Sequence, residues 1–130
     1  SLIIGHEKMR LIECGLKDYI HIVKKIPTAL AVGYDIQSLE GTSDKAKRYI
    51  EVKSTISKNK LHYFNVHLTT NEWETAATLK DHYYIYRLMI TSDEMFLFLL
   101  KNLIIHFHLL LKLLTFHKTI QHVPFYEKKI

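Results

Sequence analysis

The chain has 130 residues, a formal net charge of +5 and a pI near 9.2, with 48% hydrophobic and 24% charged residues. That balance excludes a collagen-like or wholly disordered chain and fits one globular domain with one modest core. The basic excess suits a polyanionic partner, though small domains are often this basic for no specific reason, and the lone Cys14 excludes an internal disulfide and fits a reducing cytoplasm.

Ile4 to Leu16 reads as a helix, with Met9, Ile12 and Leu16 on one face at helical spacing. The chain begins at Ser1 rather than Met, as expected of a piece cut from something larger. Cys14 falls in this apolar pattern and reads as buried filler. Tyr19 to Lys24 alternates like a strand, closed by Lys25 and Pro27. Ala29 to Ser38 reads as a second strand, carrying Gly33-Tyr34-Asp35-Ile36. Leu39 to Lys47 is rich in turn formers, and its acids Glu40 and Asp44 read as solvated loop charges.

Arg48 to Thr55 is the central strand by composition. Side chains alternate along a strand, so Ile50 and Val52 face a core while Glu51 and Lys53 share the other side. If this strand pairs with the preceding one as a hairpin, Asp35 comes beside Glu51. Two carboxylates held together repel, and a metal cation relieves that repulsion. Mg²⁺ suits such a pair, because it commonly takes one or two protein carboxylates and fills its remaining sites with water or phosphate oxygens. Water on such an ion loses a proton more readily, and Lys53 would orient it or stabilise charge developing on phosphorus. The plainer alternative for Glu-x-Lys is an exposed surface ion pair.

Ile56 to Lys60 is a polar, basic turn and Leu61 to Leu68 a further strand. Thr70 reads as the N-cap of a helix from Asn71 to about Lys80. Glu72 and Glu74 then lie in its first turn, where helix-end stabilisation explains them better than metal ligation. Trp73, Ala76, Ala77 and Leu79 form its packed side. His82 to Ile90 is an aromatic strand, Thr91 to Glu94 a turn, and Met95 to Leu100 a returning strand. Beyond it, Leu100, Leu103, Phe107, Leu110 and Leu114 step by threes and fours, a seam suited to packing or to pairing with a second copy of the chain. A membrane span is disfavoured, since Lys101 and Lys112 bracket too short an uncharged run. The nine histidines form no His-Glu-x-x-His pattern, and no glycine-rich phosphate loop or Gly-x-Ser-x-Gly turn occurs.

The ordered set Gly33-Tyr34-Asp35-Ile36-x-Ser38, Arg48-Tyr49-Ile50-Glu51-Val52-Lys53-Ser54-Thr55, Leu68-Thr69-Thr70-Asn71-Glu72-Trp73-Glu74-x-Ala76 and Tyr83-Tyr84-Ile85-Tyr86-Arg87 resembles the PD-(D/E)xK nuclease superfamily. More narrowly, it resembles the small restriction-endonuclease-like domain fused to helicases or GHKL-type ATPases in bacterial defence proteins. Tyr34 stands where the superfamily usually has proline. The resemblance, which covers about Ile4 to Leu100, implies an α/β fold with a central mixed sheet flanked by helices over residues 1–100; the apolar and basic extension over 101–130 does not resemble the superfamily. It implies a Mg²⁺-dependent DNA endonuclease, with Mn²⁺ able to substitute and a helicase or ATPase as partner. Asp35 and Glu51 would bind the metal with the Val52 carbonyl as third ligand, and Lys53 would position the attacking water. Gly5-His6-Glu7 matches the superfamily's first-helix pattern and makes Glu7, rather than Glu13, the fourth catalytic candidate; a solvated helix charge is the alternative. Lys45, Lys47, Arg48, Lys58 and Lys60 flank the hairpin and would contact DNA phosphates. The rival readings are a nucleic-acid-binding module without turnover and an oligomerisation piece driven by the tail.

Overall fold

The computed structural model describes residues 1–57, 66–102 and 126–129. Six strands form one sheet in chain order: β1 (Lys24–Lys25), β2 (Ile36–Leu39), β3 (Lys47–Ile56), β4 (Tyr83–Ile90), β5 (Met95–Lys101) and β6 (Tyr126–Lys129). Neighbours are antiparallel except β3 and β4, which run parallel from Tyr49↔Tyr83 to Ile56↔Ile90. A parallel pair needs a crossover connection, and the helix α2 (Thr70–Leu79) lies within it. The expected class, α/β with a mixed sheet flanked by helices, is what is observed.

Alternation along the central strands separates two cores. Ile50 on β3 and Tyr84, Tyr86 and Leu88 on β4 face the first helix, α1 (Leu2–Glu13), and pack with its Ile3 and Leu11. Tyr83 and Ile85 face the opposite side and pack with Ala76 of α2 and Leu100 of β5. β4 is therefore buried on both faces, as its apolar and aromatic run, broken only by Arg87, leads one to expect. Ile50 is fully buried, and truncating such a side chain to Ala costs about 2–5 kcal/mol.

Three expected elements differ. The buried stripe of α1 is Ile3, Glu7 and Leu11, whereas Met9 is 57% exposed and Ile12 also faces out. Counting apolar residues picks the wrong stripe because the core-facing one carries a carboxylate. Tyr19 to Ile22 is not a strand but part of a 3-10 helix (Lys17–Ile22), satisfied locally by Tyr19 N–H to the Leu16 carbonyl and Val23 N–H to the Ile20 carbonyl. Ala29 to Ser38 is not one strand either. A 3-10 turn (Thr28–Leu30) precedes Ala31 and Gly33, both at positive φ, and pairing begins only at Ile36.

Helix α2 begins one residue earlier than Asn71, with Thr69 rather than Thr70 as its cap. The Thr69 hydroxyl accepts the Glu72 N–H at 3.2 Å, and Glu72 Oε2 accepts the Thr69 N–H at 3.0 Å, a reciprocal capping box. Of the expected strand Leu61 to Leu68, residues 66–68 are irregular and the rest lies outside the described residues. In the apolar tail, Leu100 belongs to β5, and Leu103, Phe107, Leu110 and Leu114 lie outside the described residues. Among the described residues no helix is long and apolar enough to cross a membrane.

Candidate active site

The hairpin of β2 and β3 brings Asp35 beside Glu51. Asp35 sits immediately before β2, where its N–H donates to the Ile50 carbonyl at 2.8 Å and its carbonyl accepts the Ile26 N–H at 2.7 Å. Its Oδ2 accepts the Val52 N–H at 2.9 Å. The carboxylate thus occupies a place on β3 where a longer β2 would have paired. Val52 contributes its backbone N–H here, while its side chain lies with the α1-side core.

The loop that delivers Asp35 is strapped down at three points. Asn71 Nδ2 donates to the Ala31 carbonyl at 2.9 Å, Thr75 Oγ1 to the Val32 carbonyl at 3.3 Å, and the Tyr83 hydroxyl to the Gly33 carbonyl at 2.9 Å. Gly33 has φ +79°, and a Cβ there would fall inside the Thr75 side chain. Only glycine meets both demands without strain.

Glu51 and Lys53 lie on the α2 side of β3, one strand from Asp35. Lys53 Nζ is 3.0 Å from Glu51 Oε1 and 2.8 Å from Glu72 Oε2. Glu51 is 6% exposed. Burial, reinforced by the neighbouring Asp35 and Glu72 charges, outweighs Lys53 and pushes its carboxyl up to about 7. Burial pulls the Lys53 ammonium down, but Glu72 and Glu51 outweigh it and hold the group above its ordinary value. Together these side chains carry three acids and one base in close reach.

Asp35, Glu51, Glu72, Asn71, Thr69 and Tyr34 line an open cavity of about 240 Å³. Among the described residues, no cluster of three or more His, Cys, Asp or Glu side chains forms a ready-made metal cage. Asp35 and Glu51 nevertheless supply two hard oxygen donors at a cavity wide enough for several waters, which fits Mg²⁺ better than a closed structural ion.

Glu7 is not brought to this group. It lies on the opposite side of the sheet, fully buried, with Arg10 Nη2 at 2.6 Å and the Tyr86 hydroxyl at 2.7 Å on its two oxygens. It is neither a ligand of this cavity nor a solvated helix charge. Arg48 is also corrected: it is 8% exposed and bonded to Glu40 Oε2 at 3.0 Å and the Tyr86 hydroxyl at 2.7 Å, so it is not free for DNA phosphates. Glu40 is correspondingly no solvated loop charge, since it also accepts the Tyr84 hydroxyl at 2.8 Å. Lys45 and Lys47 are exposed, with Lys45 Nζ 4.4 Å from the Tyr19 ring centre. Lys47 stands four residues before Glu51, about 13 Å along the strand. Lys58 and Lys60 lie outside the described residues.

A family model described as "Protein NO VEIN, C-terminal" matches residues 2–100. The chain belongs to that family. The match runs from α1 through nearly all of β5 and contains Asp35, Glu51, Lys53 and Glu72, so the site lies within the part that defines the NO VEIN C-terminal family. No curated protein and no solved structure matches the chain.

Sequence reasoning missed Glu72 as a partner of Lys53. Its capping-box position was readable from Thr69-x-x-Glu72, but the crossing of α2 over β3 was not. It also missed Arg10, whose guanidinium joins Glu7 to the Leu39 and Glu40 carbonyls. An arginine three residues after a glutamate on one helix was the available signal.

Proposed function

We propose that this NO VEIN C-terminal domain is a Mg²⁺-dependent DNA endonuclease of the PD-(D/E)xK kind, in which Mn²⁺ can substitute. The observation that carries the reading is that Asp35 and Glu51 line one open cavity while the Lys53 ammonium lies 3.0 Å from Glu51 Oε1. Burial first, then the neighbouring Asp35 and Glu72 charges, raise the Glu51 carboxyl, and a divalent cation would relieve the repulsion among those acids.

Asp35 and Glu51 would hold the ion, with the Val52 carbonyl as a further candidate ligand. When bound, it would supply Lewis-acid stabilisation of a phosphate oxygen and a more acidic water. Asp35 is preset for this by the Val52 N–H and the three straps on its loop. Lys53 would hold the attacking water and stabilise the charge that grows on the phosphoryl oxygens. Tyr83, beneath the carboxylates, fixes the Gly33 carbonyl and so keeps the aspartate loop in register. The basic chain as a whole favours DNA approach. The motif likeness further supports a role in restriction or defence against foreign DNA, with a helicase or ATPase as partner.

The test is nicking of supercoiled plasmid with Mg²⁺ or Mn²⁺, wild type against Lys53→Ala. Cleavage by the wild type that is lost in the variant supports the assignment. Equal cleavage by both removes it, and binding of DNA without cleavage under either metal favours a non-catalytic binding module.

A further inference from the structure

We propose that Glu72 is the positioning residue for Lys53, holding its ammonium over the site when Glu51 turns to a divalent cation. This rests on the nuclease reading above and deepens it.

Lys53 Nζ has two carboxylate anchors, Glu51 Oε1 at 3.0 Å and Glu72 Oε2 at 2.8 Å. These anchors are not equivalent. A cation drawn to Glu51 would spend that carboxylate's charge and repel the ammonium beside it. A lysine left with no second anchor swings on a flexible stem. Glu72 is the anchor that remains, and it is itself fixed. It occupies the third position of α2, where the same Oε2 accepts the Thr69 N–H at 3.0 Å. Its side chain is 13% exposed, so little water competes for it.

The same helical turn reaches the metal-binding loop. Asn71 and Thr75 bond the Ala31 and Val32 carbonyls, four and three residues before Asp35. The first turn of α2 therefore sets both the aspartate and the lysine, from a segment outside the hairpin that carries them. A helix cap alone accounts for the Thr69 bond but not for the Lys53 contact across the sheet face.

Glu72→Gln separates the two roles, because glutamine also serves in a capping box while losing the charge that holds Lys53. Four proteins are compared: wild type, E72Q, K53M and the double variant. Thermal midpoints are read without metal, Mn²⁺ affinity by titration, and plasmid nicking by steady-state kinetics. E72Q should lower the midpoint clearly in the wild-type background and much less in the K53M background, since the two groups act as one pair. Its Mn²⁺ affinity and its KM for plasmid should stay within about twofold of wild type while kcat falls about 10- to 100-fold, the signature of a misplaced catalytic group.

Equal midpoint shifts in both backgrounds, or wild-type nicking by E72Q, would overturn the role of Glu72 and leave the nuclease reading standing. Mn²⁺ affinity weakened about tenfold or more would overturn it differently, making Glu72 a metal ligand. A wild-type protein that never nicks would sink the nuclease reading, and the positioning role with it.

Discussion

Replacing Glu7 by glutamine tests the assignment of that residue to structure rather than catalysis. Its carboxylate is fully buried and takes Arg10 Nη2 at 2.6 Å, Arg10 Nε at 3.0 Å and the Tyr86 hydroxyl at 2.7 Å, with Arg48 Nη1 at 3.8 Å. Glutamine keeps the volume and one acceptor but removes the charge, leaving Arg10 without a carboxylate among the described residues. Removing one partner of a buried pair costs about 3–5 kcal/mol. In a domain of this size that is a fall in Tm of roughly 10–20 °C. Burial alone would raise the Glu7 carboxyl, but Arg10 first, then Arg48 and Tyr86, hold it below its ordinary value of 4.5. A lowered acid adds stability above its unfolded value and loses it as pH falls through the folded one. The deficit of E7Q should thus be full at pH 7 and shrink only below about 4.5. Urea denaturation followed by far-ultraviolet circular dichroism at several pH values measures it. A loss under about 1 kcal/mol at pH 7 would refute the reasoning, because a solvated carboxylate behaves that way.

Gly33→Ala should destabilise the protein by about 1–3 kcal/mol and weaken Mn²⁺ binding, since the added Cβ meets Thr75 at a positive φ; melting and metal titration check this, and an unchanged Tm would contradict it. Arg48→Met should lower Tm without changing how DNA affinity falls with salt, because the guanidinium is spent on Glu40 and Tyr86; a slope reduced by about one would restore Arg48 as a phosphate contact. Glu51 titrates near 7, so proton and cation compete there and Mn²⁺ affinity should be lower at pH 6 than at pH 8; equal affinities would contradict that. A raised acid also contributes stability that is full below its unfolded value and lost as pH rises through the folded one. The metal-free protein should therefore lose stability from Glu51 between about pH 4.5 and 7, and Mn²⁺ at pH 8 should restore it. Arg87 is 8% exposed; among the described residues its Nε has no hydrogen-bond partner, and its Nη1 donates to the Lys53 carbonyl at 3.2 Å. Arg87→Met should therefore be neutral or stabilising by about 1 kcal/mol; a clear fall in urea midpoint would show that the Nη1 bond to the Lys53 carbonyl outweighs the cost of burying the guanidinium.

The parts legible in the sequence are those where local pattern and tertiary context agree. β3 and β4 announce themselves through Tyr49, Ile50, Val52 and the run from Tyr83 to Ile90, because burial selects the same residues as strand propensity. The opposed faces of β3 follow from alternation, which put Ile50 with the core and Glu51 with Lys53. The failures occur where a polar group is buried or a backbone is bent. Glu7 hid the inner stripe of α1, since a glutamate paired with Arg10 reads as surface. Positive φ at Ala31 and Gly33 ended a strand that composition alone would have extended. Arg48 reads as a DNA-facing charge because its partners Tyr84 and Tyr86 arrive from 36 and 38 residues away, and Glu40 as a loop charge because Tyr84 arrives from 44 residues away. Glu72 was readable as a cap and unreadable as a lysine partner for the same reason.

Anomalous scattering from a crystal soaked in Mn²⁺ bears most directly on the shared-cation site. An anomalous peak about 2.0–2.3 Å from oxygens of both Asp35 and Glu51, with the Lys53 ammonium still at Glu72, is the result expected. Well-ordered Asp35 and Glu51 side chains with no peak between them, at a Mn²⁺ concentration that fills other sites, would contradict it.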